Sequence, residues 1–132
     1  MAEQRHPYKG RSIRSWLRLG FKAPDGSTHQ FDFVADTGCP LAIIIRADLM
    51  ARLTFSRTTN LDSNFGDLRG GWLRLYCPEM DLVEFVEGYG SDAAASAVAQ
   101  DHPDFMGLVG LPILRLGEYG GDANDFWFRY PP

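Results

Sequence analysis

The chain has 132 residues, 45% of them hydrophobic and 23% charged, a length and composition that suit one globular domain with its own core. Its formal net charge of −4 speaks against a nucleic-acid partner or an anionic membrane surface, both of which select a basic face. No run approaches the ~20 apolar residues of a membrane-spanning helix, residues 1–10 lack the apolar stretch of a secretory signal, and the two cysteines, Cys39 and Cys77, are too few for a disulfide framework. A reduced, cytoplasmic setting is therefore the expectation.

Residues 1–11 read as a loose, solvated arm, with Arg5 and Arg11 in it and Arg14 and Arg18 just beyond. From Ser12 the pattern turns to strands: Ile13, Trp16, Leu17, Leu19 and Phe21 mark an extended, partly alternating segment. Pro24-Asp25-Gly26-Ser27 is a turn signal, and residues 28–35 are the partner strand of a β-hairpin. Leu41 to Ile45 is a short β-branched run that suits a buried strand, and residues 46–53 have helical composition. Residues 54–75 read as two strands around the polar loop 62–67, followed by a turn at 78–81 and a strand over 82–89. The alanine-rich stretch 91–104 is a loop or a short helix. Residues 105–109 are an apolar strand ending at Gly110, Pro112 suits the first turn of a helix over 111–119, Gly120-Gly121 ends that helix, and 125–130 is a last aromatic strand. Pro131 and Pro132 form a tail that discourages further pairing. The expectation is one mostly-β domain over 12–130 with one or two short helices.

One tripeptide carries chemistry. Asp36-Thr37-Gly38 ends the apolar run Phe31-Asp32-Phe33-Val34-Ala35, which puts a carboxylate at the mouth of a strand, on a tight turn that can aim backbone N–H groups at the acid. Read alone, the triplet is a turn, because turns favour these residues anyway. Amide hydrolysis by carboxylates needs two of them sharing one proton, since like charges at such range cannot both ionise. The triplet occurs once, so a site of that kind requires two copies of the chain.

Two motifs and their order decide the reading. Val34-Ala35-Asp36-Thr37-Gly38-Cys39 and Leu108-Val109-Gly110-Leu111-Pro112-Ile113-Leu114, with room for a hairpin and further strands between them, resemble the retropepsin-like aspartic proteases, the single-domain family of retroviral proteases and their bacterial and cellular relatives. The resemblance covers roughly residues 12–130. It implies a closed, barrel-like acid-protease fold, a homodimer, an aspartic endopeptidase activity on a peptide or protein substrate, and no metal or cofactor. It implies that Asp36 is the catalytic acid, one from each subunit, that Thr37 bonds across the dimer axis, and that Gly38 offers its N–H to the carboxylate. It implies substrate contacts from Ala35, Cys39, Leu108 and Val109 and from a flap between about Phe55 and Leu75 with its tip at Phe65-Gly66. Gly110 would let the second apolar segment pass close behind the active-site loop, and strand 125–130 would join a sheet between the subunits. The chain departs from the pattern at Cys39, where alanine or serine is common, at Pro40, which stiffens the loop, and in a flap with few glycines.

Blander readings stand beside these. Thr37 is also an ordinary turn hydroxyl, and Gly110 an ordinary helix-entry glycine. Cys39 and Cys77 read as inert buried thiols. His6, His29 and His102 lack metal-ligand spacing, and Asp101, Asp104, Asp122 and Asp125 match no calcium loop. Trp16, Trp72, Phe126, Trp127 and Phe128 read as core and dimer packing. A phosphoaspartyl enzyme would need a second acid where Gly38 stands. The remaining alternative is a non-catalytic peptide-binding or assembly module on the same fold, which the glycine-poor flap motivates.

Overall fold

Strand pairing runs round a ring. The computed structural model describes residues 2–131, and within them β2 (Trp16–Lys22), β3 (Thr28–Ala35), β4 (Ile43–Ile45), β7 (Gly66–Cys77), β8 (Leu82–Gly90) and β9 (Phe105–Val109) pair in the order β2-β3-β9-β4-β8-β7. Two further residue pairs, Phe21↔Leu75 and Lys22↔Arg74, join β7 back to β2 and close a six-strand barrel. The β3–β9 and β4–β8 pairs are parallel and the others antiparallel. Gly20 lies beside the closure; a Cβ there would overlap the Tyr76 carbonyl oxygen, so the two strands can approach only over a glycine.

The barrel fills with inward residues of the alternating strands. Leu17, Leu19, Phe21, Phe33, Ile43, Ile45, Leu73 and Leu75 are almost fully buried in one cluster, each removing roughly 1.5–3 kcal/mol of apolar surface from water. A second cluster covers the outside of β4 and β9. There α2 (Asp92–Asp101) turns Ala94 and Val98 onto Trp16, Val34, Ile44, Phe105 and Leu108. The alanine run supplies helix propensity, and Ser91, whose hydroxyl accepts from the Ala94 N–H at 3.2 Å, supplies the N-cap. Together they resolve 91–104 as a helix followed by a turn.

Several expectations hold. The hairpin 28–35 starts and stops as read, and the turn before it uses Gly26 at φ +86°. The strands at 105–109 and 125–130 are β9 and β11 (Asp125–Tyr130), and the helix at 46–53 is α1 (Ala47–Leu53). Two very short strands, β5 (Ser56–Arg57) and β6 (Leu61–Ser63), precede β7.

Others are corrected. Of the expected loose arm over 1–11, Met1 lies outside the described residues and the rest is ordered: β1 (Ala2–Pro7) pairs along its whole length with β11, from Ala2↔Tyr130 to Pro7↔Asp125. Its even positions turn half-inward, so that His6 stacks on Trp16 at 4.0 Å and Gln4 bonds the Arg18 backbone in both directions. Arg18 is not simply solvated either; with Lys9 it holds the buried Asp32 carboxylate, at 2.8 Å from each. The helix expected over 111–119 stops as α3 (Leu111–Leu114), because Gly117 lets the chain turn into β10 (Glu118–Gly121) against β11. Among the described residues the helices therefore number three, with a 3-10 turn at Pro78–Met80, rather than one or two. Finally, β11 lies between β1 and β10 of its own chain. Both of its edges are paired, and among the described residues the outer edges of this sheet belong to β1 and β10.

Candidate functional site

Asp36 follows directly on β3, and the loop it opens is fastened from behind by the β9–α3 junction. The Asp36 N–H donates to the Val109 carbonyl at 2.8 Å, the Gly110 N–H to Ala42 at 3.0 Å and the Leu111 N–H to Cys39 at 3.0 Å. Gly110 is required there for space: a Cβ would overlap the carbonyl oxygens of Leu41 and Cys39. The loop also closes on itself, with the Cys39 N–H donating to the Asp36 carbonyl at 3.1 Å. One carboxylate oxygen of Asp36, Oδ1, accepts the Gly38 N–H at 2.9 Å; among the described residues Oδ2 has no hydrogen-bond partner, and the side chain is half-buried. A carboxylate held by one backbone donor leaves its second oxygen open to a further hydrogen-bond donor.

The acid stands on the floor of a cleft of about 530 Å³. Leu41, Ile44 and Leu108 make the apolar floor around Asp36, Gly38, Cys39 and Pro40. The β6–β7 hairpin is the roof, through Leu61, Asp62, Ser63, Asn64, Phe65 and Leu68. Its tip is pinned by one hydroxyl: Ser63 Oγ accepts the Phe65 N–H at 3.0 Å and donates to the Gly66 carbonyl at 3.0 Å. Gly66 takes φ +84°, and Phe65 is left largely exposed at the tip.

The structure thus brings Asp36, Gly38, Cys39, Phe65 and Leu108 into one cleft. It does not bring the other expected residues there. Val109 is fully buried beneath the loop, so it supports the floor and touches no substrate; its position on β9, between β3 and β4, turns it inward. Ala35 and Thr37 line a separate hollow, shared with Ser12 to Ser15, that has only Asp36 in common with the cleft. Gly66 shapes the turn without lining the cleft. The residues that sequence reasoning missed are Pro40, Leu41 and Ile44 on the floor and Leu61, Asp62, Ser63, Asn64 and Leu68 on the roof. Leu61 and Leu68 are cross-strand partners, a pairing that the hairpin reading contains once its turn is placed at Asn64-Phe65.

Cys39 is buried, and burial pushes its thiol up; the hydrogen bond to the Leu41 carbonyl draws it down by less, and the Asp36 charge adds the smallest push, upward. It stays protonated at neutral pH, and so does Cys77, which burial pushes up to about 11. Among the described residues no group of three or more His, Cys, Asp or Glu side chains could hold a metal ion, and no helix is long and apolar enough to cross a membrane.

Comparison of the chain with protein-family models, with curated proteins and with solved structures finds no match.

Proposed function

We propose that the chain is an aspartic endopeptidase of the retropepsin type, active as a homodimer in which the two Asp36 carboxylates share one proton. The observation that carries this reading is Asp36 itself: a carboxylate with one oxygen held by the Gly38 N–H, on the apolar floor of a cleft roofed by a hairpin. A peptide lies extended between floor and roof, its apolar side chains against Leu41, Ile44 and Leu108. The ionised member of the pair takes a proton from water as it attacks the scissile carbonyl, and the protonated member donates to the carbonyl oxygen. The gem-diol collapses as a proton passes to the leaving nitrogen. The two pKa values belong to the pair and not to either residue. The retropepsin motifs, with Gly110 packed behind the Asp36 loop, support the same reading.

The test is cleavage of an unfolded protein by wild type and by Asp36→Asn. Loss of cleavage with an unchanged melting curve supports the proposal; wild-type turnover by the pure variant sinks it. Activity that rises with the square of concentration at high dilution supports the dimer.

One observation favours a second reading, a peptide-binding module that does not cut. The roof has a single tip glycine and is fixed by Ser63, which limits closure over a bound peptide. Binding of a pepstatin-type inhibitor and of peptides without any turnover would select it.

A further inference from the structure

We infer that Ile13 is the apolar anchor of the homodimer, a knob on the Gly10–Ser15 loop that stands beside Asp36 and Thr37 and packs against a second copy. The inference rests on the dimer proposed above and names the surface that makes it.

Ile13 is 72% exposed, the most exposed large apolar side chain among the described residues. It also takes φ +52°, a left-handed backbone that a β-branched residue rarely adopts. Strain of this kind persists only where the surroundings over-determine it, and here they do. The loop is cross-bonded at its base by Lys9 and Arg14, whose N–H groups donate to each other's carbonyls at 3.2 and 2.8 Å, and the Ile13 N–H donates to the Gly10 carbonyl at 3.2 Å. Its tip is fastened to the end of α2, where the Arg11 N–H donates to the Asp101 carbonyl at 3.2 Å and the Ser12 N–H to Asp101 Oδ1 at 2.7 Å. An isoleucine is thus held outward, in an unfavourable conformation, by a built support.

The knob stands beside a hollow. Ile13 and Arg14 share a concavity of about 230 Å³ with Ala35, Asp36 and Thr37, a mostly polar hollow whose lining has only Asp36 in common with the peptide cleft. If two Asp36 carboxylates are to meet, the two-fold axis passes beside Asp36, and the Thr37 and Ile13 face comes against the same face of the partner. An isologous contact must be complementary to itself. This face carries the apolar Ile13 knob, which can pack on its own symmetry mate, and the exposed Thr37 hydroxyl, which can both donate and accept. The terminal sheet offers no alternative through β11, whose edges are both paired within the chain. The other large exposed apolar side chains, Phe65 on the roof and Phe55, Trp72, Val83 and Phe85 near β5, β7 and β8, lie on other elements.

The test is sedimentation equilibrium of the full chain, with and without a pepstatin-type inhibitor, for wild type, Ile13→Asn and Phe85→Ser. Asparagine tolerates the left-handed backbone, so Ile13→Asn removes the knob and leaves the loop able to form. Its dimer dissociation constant should rise about tenfold or more, its melting temperature should hold or rise, and Phe85→Ser should dimerise as wild type. A wild-type dissociation constant for Ile13→Asn, or a larger effect from Phe85→Ser, overturns the inference. A wild type that never dimerises overturns both it and the catalytic proposal. Asp36-dependent cleavage that is insensitive to Ile13 sinks the interface alone, and an Ile13-sensitive dimer in which Asp36→Asn still cleaves sinks the catalytic proposal alone.

Discussion

Lys9 Nζ lies 2.8 Å from Asp32 Oδ2 and, at the same time, 3.7 Å from the centre of the Trp16 ring. The ammonium is therefore fixed between a buried carboxylate and an aromatic face, and Arg18 completes the carboxylate's pairing from the other oxygen. Burial alone would raise the Asp32 carboxyl, but the hydrogen bonds from Arg18 and Lys9 outweigh it and hold it below the ordinary value. A carboxyl lowered on folding contributes stability above its unfolded pKa of about 3.9, and that contribution disappears as pH falls through the lower folded value. Asp32→Asn should cost about 2 kcal/mol at pH 7, measured by urea unfolding, and the gap to wild type should close as the pH is taken below about 4. A gap that persists unchanged in acid would mean that the charge is not its source.

Gly110→Ala tests the support of the loop. The new methyl must displace the carbonyls of Leu41 or Cys39, both of them backbone atoms of the Asp36 loop. Overpacking of this kind costs about 1–3 kcal/mol, and the loop moves with it. The expected outcome is a lower melting temperature together with a fall in cleavage larger than the stability loss explains. Full activity in the folded fraction would show that the loop absorbs the methyl.

Phe65→Ser tests the roof. The side chain is exposed and makes no core contact, so stability should stay within about 0.5 kcal/mol. Peptide binding should weaken, seen as a raised KM with kcat changed less. An unchanged KM would remove the hairpin tip from substrate recognition.

Cys39 should react slowly with thiol reagents at neutral pH, because the thiolate is the nucleophile and burial keeps the thiol protonated. A disulfide reagent should label the native chain far more slowly than the unfolded chain, and Cys39→Ser should retain cleavage. Rapid native labelling with loss of activity would instead assign Cys39 a working role.

Local pattern made most of the barrel's strands legible, while the closed barrel itself was an implication of the family resemblance. The β2–β3 hairpin, β9 and β11 each read from alternation or an apolar run, and the Asp36 loop with Gly110 behind it read from two short motifs. What failed depended on distant partners. Ala2 to Pro7 is polar and ends in proline, and it is a strand only because Asp125 to Tyr130 lie beside it. Glu118 to Gly121 looks like the frayed end of a helix until β11 pairs with it. At the site, Leu41 and Ile44 were readable as buried strand but not as cleft floor, since a single residue shift separates a floor position from a core one, as Leu108 and Val109 show on β9.

The enclosure of β11 has a consequence for the life of the isolated chain. Obligate homodimers often have no stable folded monomer, so that folding and association are inseparable. Here every strand of the terminal sheet finds its partners within one chain. A single copy can therefore be native before it meets another. On dilution its melting temperature should fall only as far as the monomer's own value while turnover falls towards zero, so the amount of protein present, rather than its fold, would decide whether it works.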